Sequence, residues 1–237
     1  MTPEPAAPPV GSAQPMTSED RRLVGQVLTS EYGLLMGALG AVWSASLVRT
    51  SIFLGVLSAA GVALGFAAQS DLGTLTTFAI VIVPLALLLG LGTFVRTVEL
   101  QRESIVYITG LNRIRHFFQE SVPASKPYFV LPGHDDEAAL FRSQGTGMPL
   151  RRPRTWLVIA LVQMQGIVAV VCGLLAAVTA WLLTAGVAPG GAWLVAVASF
   201  AATVVILFGY WSRSLAGLRA AIRPISPTPP EEIDAPI

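Results

Sequence analysis

"TLTTFAIVIVPLALLLGLGTFVRTVELQRESIVYITGLNRIRHFFQE", residues Thr74 to Glu120, changes character without changing periodicity. Its first part, Thr74 to Val95, is twenty-two residues without a charge. The rest carries charges on a helical repeat, and the only strong helix breaker in the stretch is Pro84. A helix needs roughly 20 apolar residues to cross a hydrocarbon core about 30 Å thick. The stretch therefore predicts one helix of roughly 70 Å at 1.5 Å per residue, half of it in a bilayer and half projecting beyond it.

Working outward, three more apolar blocks appear. Ser51 to Ala68 holds eighteen uncharged residues, Thr155 to Ala185 thirty-one and Gly191 to Trp211 twenty-one. Lipid forces each backbone to satisfy its own hydrogen bonds, so each block is expected to be a helix. Composition agrees: 53% of the 237 residues are hydrophobic and 12% charged, against about 25% charged in soluble domains. Mean hydropathy is +0.66. The expected fold is an all-α membrane protein with four transmembrane helices as two hairpins and long cytoplasmic juxtamembrane helices. "QSDLG" (Gln69–Gly73) and "GVAPG" (Gly186–Gly190) are the tight links.

The fifteen Lys and Arg give the orientation. They fall in the N-terminal part, in 96–154 and in the C-terminal part, and neither link holds one. Basic flanks stay on the cytoplasmic side. Both termini and the central segment are thus expected in the cytoplasm, in a multi-pass protein of a bacterial inner (plasma) membrane. The domain plan is a proline-rich disordered tail at 1–20, an amphipathic juxtamembrane helix at 21–50 and a first transmembrane hairpin at 51–95. A cytoplasmic helix with a proline-containing loop follows at 96–154, then a second hairpin at 155–211 and a cytoplasmic tail at 212–237. Met1 to Glu19 lacks the pattern of a signal peptide. Gly33 to Val48 is sixteen uncharged residues long, short for a span, and reads as an interfacial helix leading into the first one. The prolines of Met1–Pro15 and Pro224–Ile237 predict tails without fixed structure.

Small residues four apart, Gly61 and Gly65, and Ala169, Gly173 and Ala177, suit close helix approach, either within the bundle or between copies. The four core spans contain no Asp, Glu, Lys, Arg or His, which weakens ion-coupled transport, because an ionisable group commonly does that work. Gln163 and Gln165 read as interhelical hydrogen-bonding residues.

Specific chemistry is left to 96–154. Glu99 and Arg102 at i,i+3 can support the projecting helix. Tyr107, Leu111, Ile114 and Phe118 make an apolar stripe, and Asn112, Arg113, His116, Gln119 and Glu120 gather opposite. The stripe requires a partner: the N-terminal helix, another subunit or the inner leaflet. Interaction residues on this helix are Tyr107, Leu111, Arg113, Ile114, His116 and Phe118. Arg151, Arg152 and Arg154, with Trp156, suit lipid headgroups beside a span, a reading that displaces nucleic-acid binding. His116 with Glu120, and "HDDE" (His134–Glu137), carry metal-ligand residue types. Two histidines and no cytosolic cysteine make a thin ligand set, and Asp135 can instead cap a short helix. No catalytic residue, metal or cofactor is assigned.

"EYGLLMGALGAVWSASLVRT" (Glu31–Thr50), then a membrane hairpin, then "YITGLNRIRHFF" (Tyr107–Phe118) with "KPYF" (Lys126–Phe129), resembles a group of uncharacterised four-span integral membrane proteins of GC-rich bacteria. The resemblance covers most of Glu31 to Phe129. It implies an inner-membrane protein and carries no activity with it. A hairpin followed by a long cytosolic helix also resembles, more loosely, small membrane effectors of bacterial conflict systems. The expected function is non-enzymatic: a self-associating inner-membrane protein whose cytoplasmic helices contact a protein partner. The alternative is a small channel, transporter or membrane-disrupting effector.

Overall fold

The computed structural model describes residues 17–143 and 163–229. The described part is all-helical, and four of its helices are long and apolar enough to cross a membrane. α1 is Ser18–Ser70, α2 Leu72–Ser121, α3 Glu137–Ser143, α4 Met164–Thr184 and α5 Ala192–Ala221, with a 3-10 turn at Pro123–Tyr128. The expectations for residues 1–16, 144–162 and 230–237, which include Arg151, Arg152, Arg154 and Trp156, lie outside the described residues.

Local chemistry sets the helix boundaries. Thr17 and Asp20 form a capping box: Thr17 Oγ1 accepts from the Asp20 N–H at 3.1 Å, and the Asp20 carboxylate accepts from the Thr17 N–H at 3.2 Å. Asp71, the single charge in its link, ends α1 and caps α2. Its Oδ1 accepts from the Thr74 N–H at 2.8 Å and its Oδ2 from the Thr74 hydroxyl at 2.6 Å. Those bonds hold its carboxyl below the usual carboxylate range.

α1 holds 53 residues and α2 holds 50, so at about 1.5 Å per residue each is 75–80 Å long, far more than a bilayer core requires. They lie side by side: Phe53 meets Gly90, Leu35 meets Gly110 and Phe118 approaches Gly25. No reversal interrupts α1 at Arg49–Ser51, so Gly33 to Val48 continues directly into the block that follows.

Two cores form along this length. In the first, Phe53 of α1, Phe94 and Val98 of α2, Val168, Ala169 and Cys172 of α4, and Leu207 and Trp211 of α5 bury one another. Glycine permits the approach: a Cβ on Gly90 would stand 2.7 Å from Cys172 Sγ, and one on Gly173 2.8 Å from Val204. Gly61 and Gly65, by contrast, have nothing within 4 Å, so the two small-residue motifs differ in use. Trp211 ends the last apolar block, a position that suits aromatic rings to headgroups. It is instead buried, donating from Nε1 to Gln101 Oε1 at 2.7 Å. The second core, toward the far ends of α1 and α2, joins Leu39, Ile108 and Leu111 with Tyr32, Leu35, Tyr107 and Leu140.

Candidate functional site

The second core answers what covers the Tyr107–Leu111–Ile114–Phe118 stripe. Leu111 and Ile114 are buried, Tyr107 and Phe118 half-buried, and α1 supplies their neighbours through Leu35, Leu39 and Gly25. The face opposite is not left wholly to solvent, which corrects the expected split. Asn112 is fully buried and Arg113, His116 and Gln119 half-buried, because the chain after α2 folds back over them, while Glu120 stays exposed. Arg115, beside the stripe rather than opposite it, is buried against Tyr32 of α1. Gly133 allows that return, since a Cβ there would collide with the Gln119 side chain and stand 3.2 Å from His116 Cα.

Asp135 is the centre of this junction. Its carboxylate accepts from Arg113 Nε at 2.7 Å, from the Ile225 N–H at 2.9 and 3.0 Å, and from the Ser226 N–H at 2.9 Å. The Asp135 N–H donates back to the Ser226 carbonyl at 3.2 Å. Arg113 also donates from Nη2 to the Arg223 carbonyl at 2.8 Å. One carboxylate thus ties α2, the returning loop and the segment after α5 together. Burial alone would raise its pKa. The N–H of Ile225, the Arg113 side chain and the N–H of Ser226 together outweigh burial and hold it below the usual range.

Asp136 makes the neighbouring tie. Its Oδ2 accepts from the Thr228 N–H at 2.9 Å and its Oδ1 from the Thr228 hydroxyl at 2.7 Å. The same Oδ1 accepts from the Ala139 N–H at 3.1 Å, so Asp136, not Asp135, caps α3. The expectation of a featureless tail therefore fails for 224–229. Two adjacent carboxylates satisfy backbone donors that the prolines alone leave free.

Asn112 extends the junction inward. Its Nδ2 donates to the His134 carbonyl at 2.9 Å, while its Oδ1 accepts from Arg115 Nη1 at 2.6 Å and Ser143 Oγ at 3.2 Å. His116 Nε2 lies 3.3 Å from Glu120 Oε1, and its ring centroid is 5.9 Å from that of His134. Among the described residues no three His, Cys, Asp or Glu side chains converge enough to hold a metal ion. Glu99 pairs back to Arg96 at 2.9 Å rather than forward to Arg102, and the Arg96 guanidinium also reaches Glu103 at 3.6 Å. Gln165 does reach between helices, its Nε2 donating to the Thr97 carbonyl at 3.4 Å.

Sequence placed none of Asp135, Asp136, Asn112, Arg115, Ser226 and Thr228 among the interaction residues, although it weighed "HDDE" as metal-ligand types and Asp135 as a helix cap. One signal was available. Ile108, Leu111, Asn112 and Arg115 follow i, i+3, i+4, i+7, a buried stripe next to the one recognised. No family model, curated protein or solved structure matches the chain.

Proposed function

We propose that this chain is a non-enzymatic, self-associating protein of a bacterial inner membrane. In this reading α1–α2 and α4–α5 cross the bilayer as two hairpins, and both termini and 96–154 lie in the cytoplasm. The basic residues support that orientation: Arg96, Arg102, Arg113, Arg115, Lys126, Arg213 and Arg223 all lie away from the two links. The projecting ends of α1 and α2 act as a stalk, and the Asp135 junction at its end is the regulated face that meets a protein partner.

The observation that carries the reading is the Asp135 tie itself. It fastens the segment following a membrane-spanning helix to the end of the stalk. A rearrangement among the spans is thereby linked to the shape of the far end, and a partner binding there is linked to the spans. Tyr128 and Val130, 84% and 88% exposed, follow α2, whose last residue, Ser121, lies about 39 Å beyond Val95 by helical rise.

A photo-crosslinking side chain at Tyr128 tests the reading in the native host. The expected outcome is a protein adduct of fixed mass that weakens when Asp135→Asn loosens the junction. An unchanged adduct, or none, contradicts a regulated face. Ion conductance by the purified protein in liposomes would overturn the reading in favour of a channel.

A further inference from the structure

Among the described residues two charged side chains are buried, Asp135 and Arg115, and they are treated differently. Asp135 has Arg113 as a counter-ion. Arg115 has no carboxylate within 4.0 Å among the described residues. Its polar partners are neutral: Asn112 Oδ1 at 2.6 Å from Nη1, and the Tyr32 hydroxyl at 3.3 Å from Nη2. The guanidinium also lies 5.7 Å from the centroid of the Tyr32 ring.

These partners leave an imbalance of donors over acceptors. A guanidinium keeps its charge and carries five N–H donors, and two hydrogen bonds engage two of them. Tyr32 accepts with its oxygen, so its own hydroxyl proton remains to donate. Asn112 adds no acceptor capacity, because its Oδ1 already serves Arg115 and Ser143. With 6% of Arg115 exposed, its remaining donors keep only a narrow contact with water, and a charge desolvated this far without an opposite charge is destabilising unless one is supplied. We propose that Arg115 and Tyr32, between α1 and α2, form the binding site of a small dissolved oxyanion, of the phosphate or carboxylate class.

Guanidinium geometry favours that class, since its paired N–H groups match two oxygens of one anion. Position selects the dissolved form over a lipid headgroup. Gln165, in the first turn of α4, bonds at the level of Thr97, and Arg115 lies about 27 Å further along α2 at 1.5 Å per residue. This last step rests on the membrane placement proposed above; the donor imbalance does not.

The test is thermal unfolding of the full-length protein in nanodiscs, titrated with inorganic phosphate and separately with acetate at constant ionic strength. The expected result is a saturable rise in midpoint for the wild type with at least one of the two. Arg115→Lys should bind roughly tenfold more weakly, because it loses the paired geometry. Arg115→Met should not respond, and without anion it should be no less stable than the wild type. Tyr32→Phe keeps the ring, removes the hydroxyl donor and should weaken the response. An equal response from wild type and Arg115→Met, or none from the wild type, overturns the proposal. A response that appears only in nanodiscs lacking anionic lipid would mean that headgroups compete, which overturns the dissolved-ligand assignment. The topology reading fails separately, through the location of the termini.

Discussion

The apolar lengths of the helices and the junction beyond them bond their polar side chains in opposite ways. Along the apolar lengths, hydroxyls turn back on their own helix. Ser58 donates to the Leu54 carbonyl, Thr76 to Leu72, Thr93 to Leu89, Thr179 to Leu175 and Thr184 to Ala180, each one turn earlier. At the junction the bonds cross the chain: Asn112 reaches His134, Arg113 reaches Asp135, and Ile225 and Thr228 reach Asp135 and Asp136. A helix in lipid has no water to replace a lost partner, so local closure is the safe arrangement. Shape, set by Gly90 and Gly173, then does most of the joining, with the bonds from Gln165 to the Thr97 carbonyl and from Trp211 to Gln101 as polar links between helices. The junction can use polar groups as connectors because several donors converge on each acceptor.

That contrast can be broken most strongly at Asp135. Asp135→Ala leaves Arg113 and two backbone donors without their acceptor, at a cost of about 2–3 kcal/mol, the lower range because Arg113 is partly exposed. The loss should be local, read as faster hydrogen exchange at Ile225 and Ser226 with the first core intact. Acid should do the same. A carboxyl with a lowered folded pKa binds fewer protons folded than unfolded, so its stabilisation is complete above about pH 4. It is lost as pH falls through the lowered value, and protection at Ile225 and Ser226, relative to intrinsic exchange at each pH, should fall there first.

A shape change should act on the other region alone. Gly90→Val forces side-chain atoms against Cys172 and Phe53, which overpacking places at about 1–3 kcal/mol. Its thermal midpoint should fall while protection at 225–228 persists. Thr228→Val removes one side-chain bond to Asp136, a loss of about 1 kcal/mol seen in the same exchange experiment. Gly61→Ala meets open space, so monomer stability should move by less than about 0.5 kcal/mol. Any loss of crosslinked dimer in that variant would locate self-association on α1.

The same division explains what could be read beforehand. Four apolar blocks, the continuity of α2 through Glu120 and the need to cover the Tyr107–Phe118 stripe follow from period and length, which are local properties. The junction is not local. Arg113 and Arg223 sit far apart in sequence, and "HDDE" supports a helix cap as well as a clamp. Nothing in "PISPTPP" (Pro224–Pro230) announces that Ser226 and Thr228 meet acids in the loop that folds back after α2. Asp136 serves both as a local cap and as a tie to Thr228, while Asp135 took its partners from Arg113 and the tail. Arg115 is instructive because its spacing from Ile108 and Leu111 marked it as buried, although its charge argued for solvent.

The most direct measurement is amide hydrogen exchange of the full-length protein in nanodiscs near neutral pH, followed at Ile225, Ser226 and Thr228. The junction predicts protection at all three, lost in Asp135→Asn at Ile225 and Ser226 before Thr228, which Asp136 still holds. Exchange in the wild type as fast as in an unstructured peptide would contradict the tie between the tail and the stalk.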